Sequence, residues 1–252
     1  RNLMPITYRI FQTLLLVTAI SSNVNAQDRV TSVDARFLFL DESPSSYSIE
    51  GNSGYRVLSS YPYQVSPPVT FDPQERVDLY KSARKPERST PSGKPISNEA
   101  RYQKIGTATI PSNVSEVLVV VRKDSEDAGA YRLEYFSSDP REFPEGTVRV
   151  INLGRTPIAV GINRERALMA PGQQRIMSPT PDHKDRLIIR VAEEDKNTWN
   201  ILYDSVAVLR TGKRMTGVIV YSPTGMRHTY TAYELREFGE PEPGHQWLTF
   251  TD

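Results

Sequence analysis

Short runs of β-branched and aromatic residues recur along the chain, separated by Pro, Gly, Asn, Asp and Ser. They predict strands over 35–40, 55–59, 76–81, 103–110 and 116–122, then over 131–136, 147–153, 158–163, 166–169 and 173–177. A last group falls over 186–192, 199–208, 215–222 and 228–235. Strands at this spacing, with turn chemistry between them, point to sandwiches or barrels and away from βαβ units. Val117-Leu118-Val119-Val120-Val121 is continuous and predicts a central strand. Thr147–Leu153 and Thr229–Tyr233 alternate, as half-buried strands do. No stretch of ten or more residues keeps a clean 3.6-residue period free of Pro or Gly. The class expected is all-β: two β-sandwich-like domains of antiparallel strands.

The turns have mechanisms. Ala170-Pro171-Gly172-Gln173 carries a type II signature, with Pro setting the first corner and Gly the second. Arg210-Thr211-Gly212-Lys213 and Ser222-Pro223-Thr224-Gly225 place Gly where positive φ is cheap. Pro144 cannot donate to a ladder and marks the entry of the strand at Thr147.

The domains expected are 30–124 and 130–238, with a boundary at the Asp124–Gly129 turn or, failing that, in the Ser137–Gly146 stretch. Residues 84–101 hold three Pro and five Lys/Arg against two Glu, and are expected to be a flexible insertion in the first domain. Residues 239–252, opening on an acidic Pro-rich stretch, are expected to form an irregular tail. No short tandem repeat is visible, which argues against solenoids and propellers.

The N-terminus reads as an address. Met4 reads as the initiator, Arg9 supplies the basic region, and Ile10–Ile20 is mostly apolar. Val24-Asn25-Ala26 offers small residues where signal peptidase cuts, so residues 1–26 are expected to be a cleavable signal peptide with upstream residues. The apolar run is about 11 residues, too short for a ~30 Å hydrocarbon core. No later segment reaches the ~18 apolar residues of a membrane helix, so the mature chain is expected to lack one. Periplasmic or extracellular residence follows.

Charge and composition narrow the function classes. The 252 residues hold 31 Lys+Arg, 30 Asp+Glu and no Cys. Without residues 1–26, which contain Arg1, Arg9 and no acid, the balance becomes 29 basic against 30 acidic residues. Near neutrality argues against a nucleic-acid partner. Zero Cys removes disulfides, thiolate zinc sites and Cys nucleophiles.

Phe143-Pro144-Glu145-Gly146-Thr147-Val148-Arg149-Val150-Ile151-Asn152-Leu153, followed by Ala170-Pro171-Gly172-Gln173, resembles uncharacterised secreted β-sandwich proteins of Gram-negative bacteria, carrying a domain of unknown function. The likeness covers about 45 residues closely. It implies secretion and β architecture and transfers no catalytic residue.

Candidate sites are few. His183, His228 and His245 lack metal-binding spacing, and Asp182-His183-Lys184-Asp185 reads as a solvated turn. Asp124-Ser125-Glu126-Asp127-Ala128-Gly129 gathers three carboxylates but does not match a calcium loop. Ser222, His228 and Asp204 form a trio that any chain of this size offers by chance. No catalytic residue, metal or cofactor is expected. Tyr47, Tyr55, Tyr61 and Tyr63 crowd one region and are the candidate ligand-binding residues, because Tyr surfaces take polar ligands. The expected function is an exported, non-enzymatic structural or interaction module of the cell envelope, its partner an envelope protein or a surface polysaccharide. A carbohydrate-binding module, or a hydrolase whose carboxylates the fold assembles, is the alternative.

Overall fold

The computed structural model describes residues 30–40, 47–51, 54–58, 63–72, 76–82, 102–123, 131–196, 198–222, 228–230, 235–237 and 244–251. The expected signal peptide at 1–26 and the insertion at 84–101 lie outside them. The described chain is all-β, in two sandwiches. No helix long and apolar enough to cross a membrane occurs among the described residues.

The first sandwich contains β1 (Val33–Phe39), β2 (Tyr47–Gly51), β3 (Gly54–Leu58), β4 (Val69–Phe71), β5 (Arg76–Ser82), β6 (Tyr102–Thr109), β7 (Glu116–Lys123) and β8 (Tyr131–Ser137). The second contains β9 (Val148–Leu153), β10 (Ile158–Ile162), β11 (Glu165–Met169), β12 (Gln174–Met177), β13 (Arg186–Asp195), β14 (Thr198–Val208), β15 (Met215–Ser222) and β18 (Gly244–Thr251). A separate hairpin, β16 (His228–Tyr230) with β17 (Leu235–Glu237), interrupts it.

The two sandwiches share one topology. The sheets run β4-β1-β7-β8 over β3-β2-β5-β6, and β12-β9-β15-β18 over β11-β10-β13-β14. Each contains one parallel pair among antiparallel ones, β1 with β7 and β9 with β15. Even the bulge repeats. The β5–β6 register passes from Leu79↔Gly106 to Tyr80↔Lys104, and β13–β14 passes from Val191↔Tyr203 to Ala192↔Ile201. The repeat shows in strand order, where the sequence shows no tandem pattern.

Two expected boundaries are corrected. β8 pairs with β7, so residues 131–137 complete the first sandwich and the second starts at β9 rather than at 130. The expected irregular tail contains β18, eight residues paired antiparallel with β15. The alternation of Trp247-Leu248-Thr249-Phe250 carried that signal; Trp247 turns into the second sandwich, and Leu248 and Phe250 turn the other way.

Three apolar layers hold the molecule together. One lies inside the first sandwich, around Phe37, Phe39, Tyr47, Leu79 and Val119. Another lies inside the second, around Val150, Val160, Ile189, Val191 and Ile219. The third lies between the sandwiches, where Leu38, Leu118 and Val120 meet Ile151, Val218 and Leu248. The central strands of the β1 and β9 sheets, β7 and β9 above all, are therefore buried on both faces. This explains the continuous Val117–Val121 run, since a strand covered on both sides has no polar face. It also corrects the half-buried expectation for Thr147–Leu153: all six residues of β9 are buried, Arg149 and Asn152 included. Burying each large aliphatic side chain contributes ~1.5–3 kcal/mol, so parting the sandwiches would expose a full core layer.

Candidate functional site

Among the described residues, most of the exposed large apolar side chains lie on the outer sheet of the second sandwich. Leu187, Ile189 and Val191 of β13 point inward and are fully buried, so Arg186, Ile188, Arg190 and Ala192 face outward. Register places Val208, Val206, Asp204 and Ile201 of β14 opposite them. A row of Leu168, Ala159, Ala192 and Ile201 thus crosses four strands, beside a row of Arg166, Gly161, Arg190 and Asp204. Small side chains at the centre leave a trough of about 280 Å³. Leu168 is 65% exposed, Ile201 71% and Val206 54%.

β14 forms the margin of this sheet and pairs with β13 alone among the named strands. Its eleven residues hold one charge, Asp204, which Arg190 engages at 3.2 Å. Natural edge strands are commonly guarded by Lys, Pro or a bulge. β14 has only the bulge at Leu202, which leaves Tyr203–Val208 as a regular stretch.

The three candidate tyrosines among the described residues, Tyr47, Tyr55 and Tyr63, do not share one platform. Tyr47 is 2% exposed and stacks on Phe39 inside the first core, with ring centroids 4.3 Å apart. Tyr63 takes positive φ (59°), donates its N–H to the Phe39 carbonyl and packs against the layer between the sandwiches. Tyr61 lies outside the described residues. Tyr55 joins a second aromatic group, outside the core, stacked on Tyr102 at 4.1 Å and edge-on to Tyr80 at 4.9 Å. Tyr80 donates to the Glu50 carboxylate at 2.8 Å. Burial and then that carboxylate push its phenol above the ordinary value. Tyr80 and Tyr102 were not singled out in sequence, because contact across β3, β5 and β6 leaves no local spacing.

Polar chemistry also concentrates where the sandwiches meet. Arg149 is 1% exposed; its guanidinium donates to the Ser137 carbonyl at 2.7 Å, to Ser138 Oγ at 3.1 Å and to Thr216 Oγ1 at 3.2 Å. Phe143 lies under both Arg149 and Arg214. Arg214 donates to the Ser138 carbonyl at 2.6 Å and to Glu116 at 2.8 Å. Nearby, Asp139 accepts from Arg141 and Ser115, and the Arg141 bonds hold its carboxyl well below the usual range although burial pushes the other way.

The other candidates resolve locally. Asp182 accepts the N–H of Lys184 and of Arg186 and pairs with the Arg186 guanidinium, so it organises a turn, and Arg186 keeps its carboxyl well below the ordinary range. The Asp124–Gly129 carboxylates and the side chains of Ser222 and His228 lie outside the described residues. No protein-family model matches the chain, and no curated protein matches it.

Proposed function

We propose that the protein is an exported, non-enzymatic structural module of the cell envelope that assembles with a second copy of itself through the β14 edge. The observation that supports this best is an eleven-residue margin with a single charge, bordered by exposed Ile188, Ile201, Val206 and Val208. Antiparallel pairing of a strand with its own copy is isologous, each contact being made twice about a two-fold axis. It would extend the four-stranded outer sheet into eight strands and set the outward-facing apolar residues of the two β14 strands side by side across the seam. A balance of 29 basic against 30 acidic residues after position 26 sets no electrostatic barrier between copies. Export rests on the order of basic, apolar and small residues over 4–26.

Sedimentation equilibrium of the purified chain tests the reading. The expected result is a dimer at micromolar concentration and a monomer after Val206→Lys, with unchanged far-UV circular dichroism. A wild-type monomer at all accessible concentrations overturns it.

A further inference from the structure

We infer that the outer sheet of the second sandwich docks on a phospholipid surface. This rests on self-assembly through β14, which decides where the faces of two copies point. Six of the nine exposed large apolar side chains among the described residues share this face: Leu168, Ile188, Trp199, Ile201, Val206 and Val208. Trp199 belongs to it because the pair Glu194↔Trp199 lies two residues along from Ala192↔Ile201, and strand residues two apart share a face. The two-fold axis of an antiparallel edge pair stands normal to the sheet, so both copies present this face on the same side. Four strands ~4.8 Å apart and about six residues deep give a face on the order of 400 Å². Pairing doubles it, past the largest bare apolar patch of a typical monomer.

Charge and shape favour lipid as the occupant. Arg190 pairs with Asp204 and Arg186 with Asp182, so those two guanidinium groups are matched within the chain. At the β11 margin Arg166 donates to the Asn163 and Glu165 carbonyls, which are neutral. Neither Arg166 nor Arg164 has a carboxylate partner among the described residues. Arg164 lines one groove with Ile188 and Val206, so cation and apolar side chains border each other. Glu194 faces outward at the far end of β13, opposite Trp199, which leaves the β11 margin as the positive one. A phosphate headgroup accepts from a guanidinium fork while the arginine stem lies along hydrocarbon. Trp suits the boundary between the two. The trough of about 280 Å³ over Ala159, Gly161 and Ala192 adds a second reason. A rigid protein surface must match it or forfeit contacts there, whereas fluid acyl chains fill it.

Cosedimentation of the full chain with vesicles of phosphatidylethanolamine and phosphatidylglycerol tests the face. Wild type is expected to pellet, with a blue shift in Trp emission that Trp199→Phe abolishes. Leu168→Asp is expected to weaken binding at least tenfold and Arg166→Gln several-fold, each with an unchanged melting temperature. Leu168 lies on β11, at the margin opposite β14, so Leu168→Asp is expected to keep the wild-type oligomeric state in the absence of lipid. A wild-type dimer that stays in the supernatant overturns the lipid face and leaves the β14 edge standing. A wild-type monomer that pellets, and is released by Leu168→Asp, overturns the edge and leaves the lipid face standing. Pelleting that Leu168→Asp leaves unchanged, as attachment through the apolar run at 10–20 would be, also overturns the lipid face.

Discussion

The imidazole of His245 bridges the two sheets of the second sandwich: Nδ1–H donates to Glu193 Oε2 at 2.5 Å, and Nε2 accepts the Arg155 N–H at 2.8 Å. The second bond requires an unprotonated Nε2, which fixes the tautomer. His245 sits at the start of β18 and Glu193 near the end of β13, so the pair pins the last strand to the opposite sheet. His245→Ala leaves the Glu193 carboxylate and the Arg155 N–H without that partner, and is expected to cost ~1–3 kcal/mol in urea unfolding. A loss within error of zero would show that β18 needs no such tie.

Gly217 is where Trp247 rests. A Cβ at Gly217 would fall inside the indole ring, and Trp247 is 7% exposed, with little room to move. Gly217→Ala is expected to cost ~1–3 kcal/mol through overpacking. Only one other Trp exists, Trp199, at 46% exposure. In a Trp199→Phe background the emission of Trp247 should shift to the red on Gly217→Ala; an unchanged spectrum would mean that the ring stays in place.

The layer between the sandwiches couples their stabilities. Val120 of β7 and Val218 of β15 are 0% exposed on facing sheets of the two repeats. Val120→Asp would bury a carboxylate there and should destabilise both sandwiches together. Far-UV circular dichroism and Trp emission, which reports the second sandwich, are expected to fall in one coincident urea transition for wild type. Two separated transitions would show that the halves fold alone.

Asp139 sets part of the acid limb. Its folded-state pKa is depressed, chiefly by the Arg141 guanidinium. Its contribution is therefore present above the unfolded value of about 3.9, and is lost as pH falls from there through the folded value. Asp139→Asn should lower stability at pH 7 by ~1–3 kcal/mol, the usual range for charge-assisted hydrogen bonds, and flatten the decline between about pH 4 and 2. Urea midpoints across that range check it; parallel curves for the two proteins would contradict it.

Much of this was legible in the sequence, and the misses share causes. Val117–Val121 and the Gly172 turn announced themselves, because β-branching and a positive φ (79°) leave local marks. β18 was hidden behind the Pro-Glu stretch that precedes it. Arg149 looked like the polar half of an alternating strand, but it is a buried cation, since a second sandwich covers the face it occupies. Tyr47 looked like surface and is core, for alternation alone does not say which face is covered. The β14 edge needed sheet order, and so did the repeat, whose two halves share topology without a visible sequence period.

The central claim is self-assembly through β14, and amide hydrogen exchange at several protein concentrations tests it most directly. Protection of the Tyr203–Val208 amides is expected to rise with concentration while amides of the inner strands β9 and β15 stay constant. Exchange from β14 that is equally fast at every concentration would contradict it.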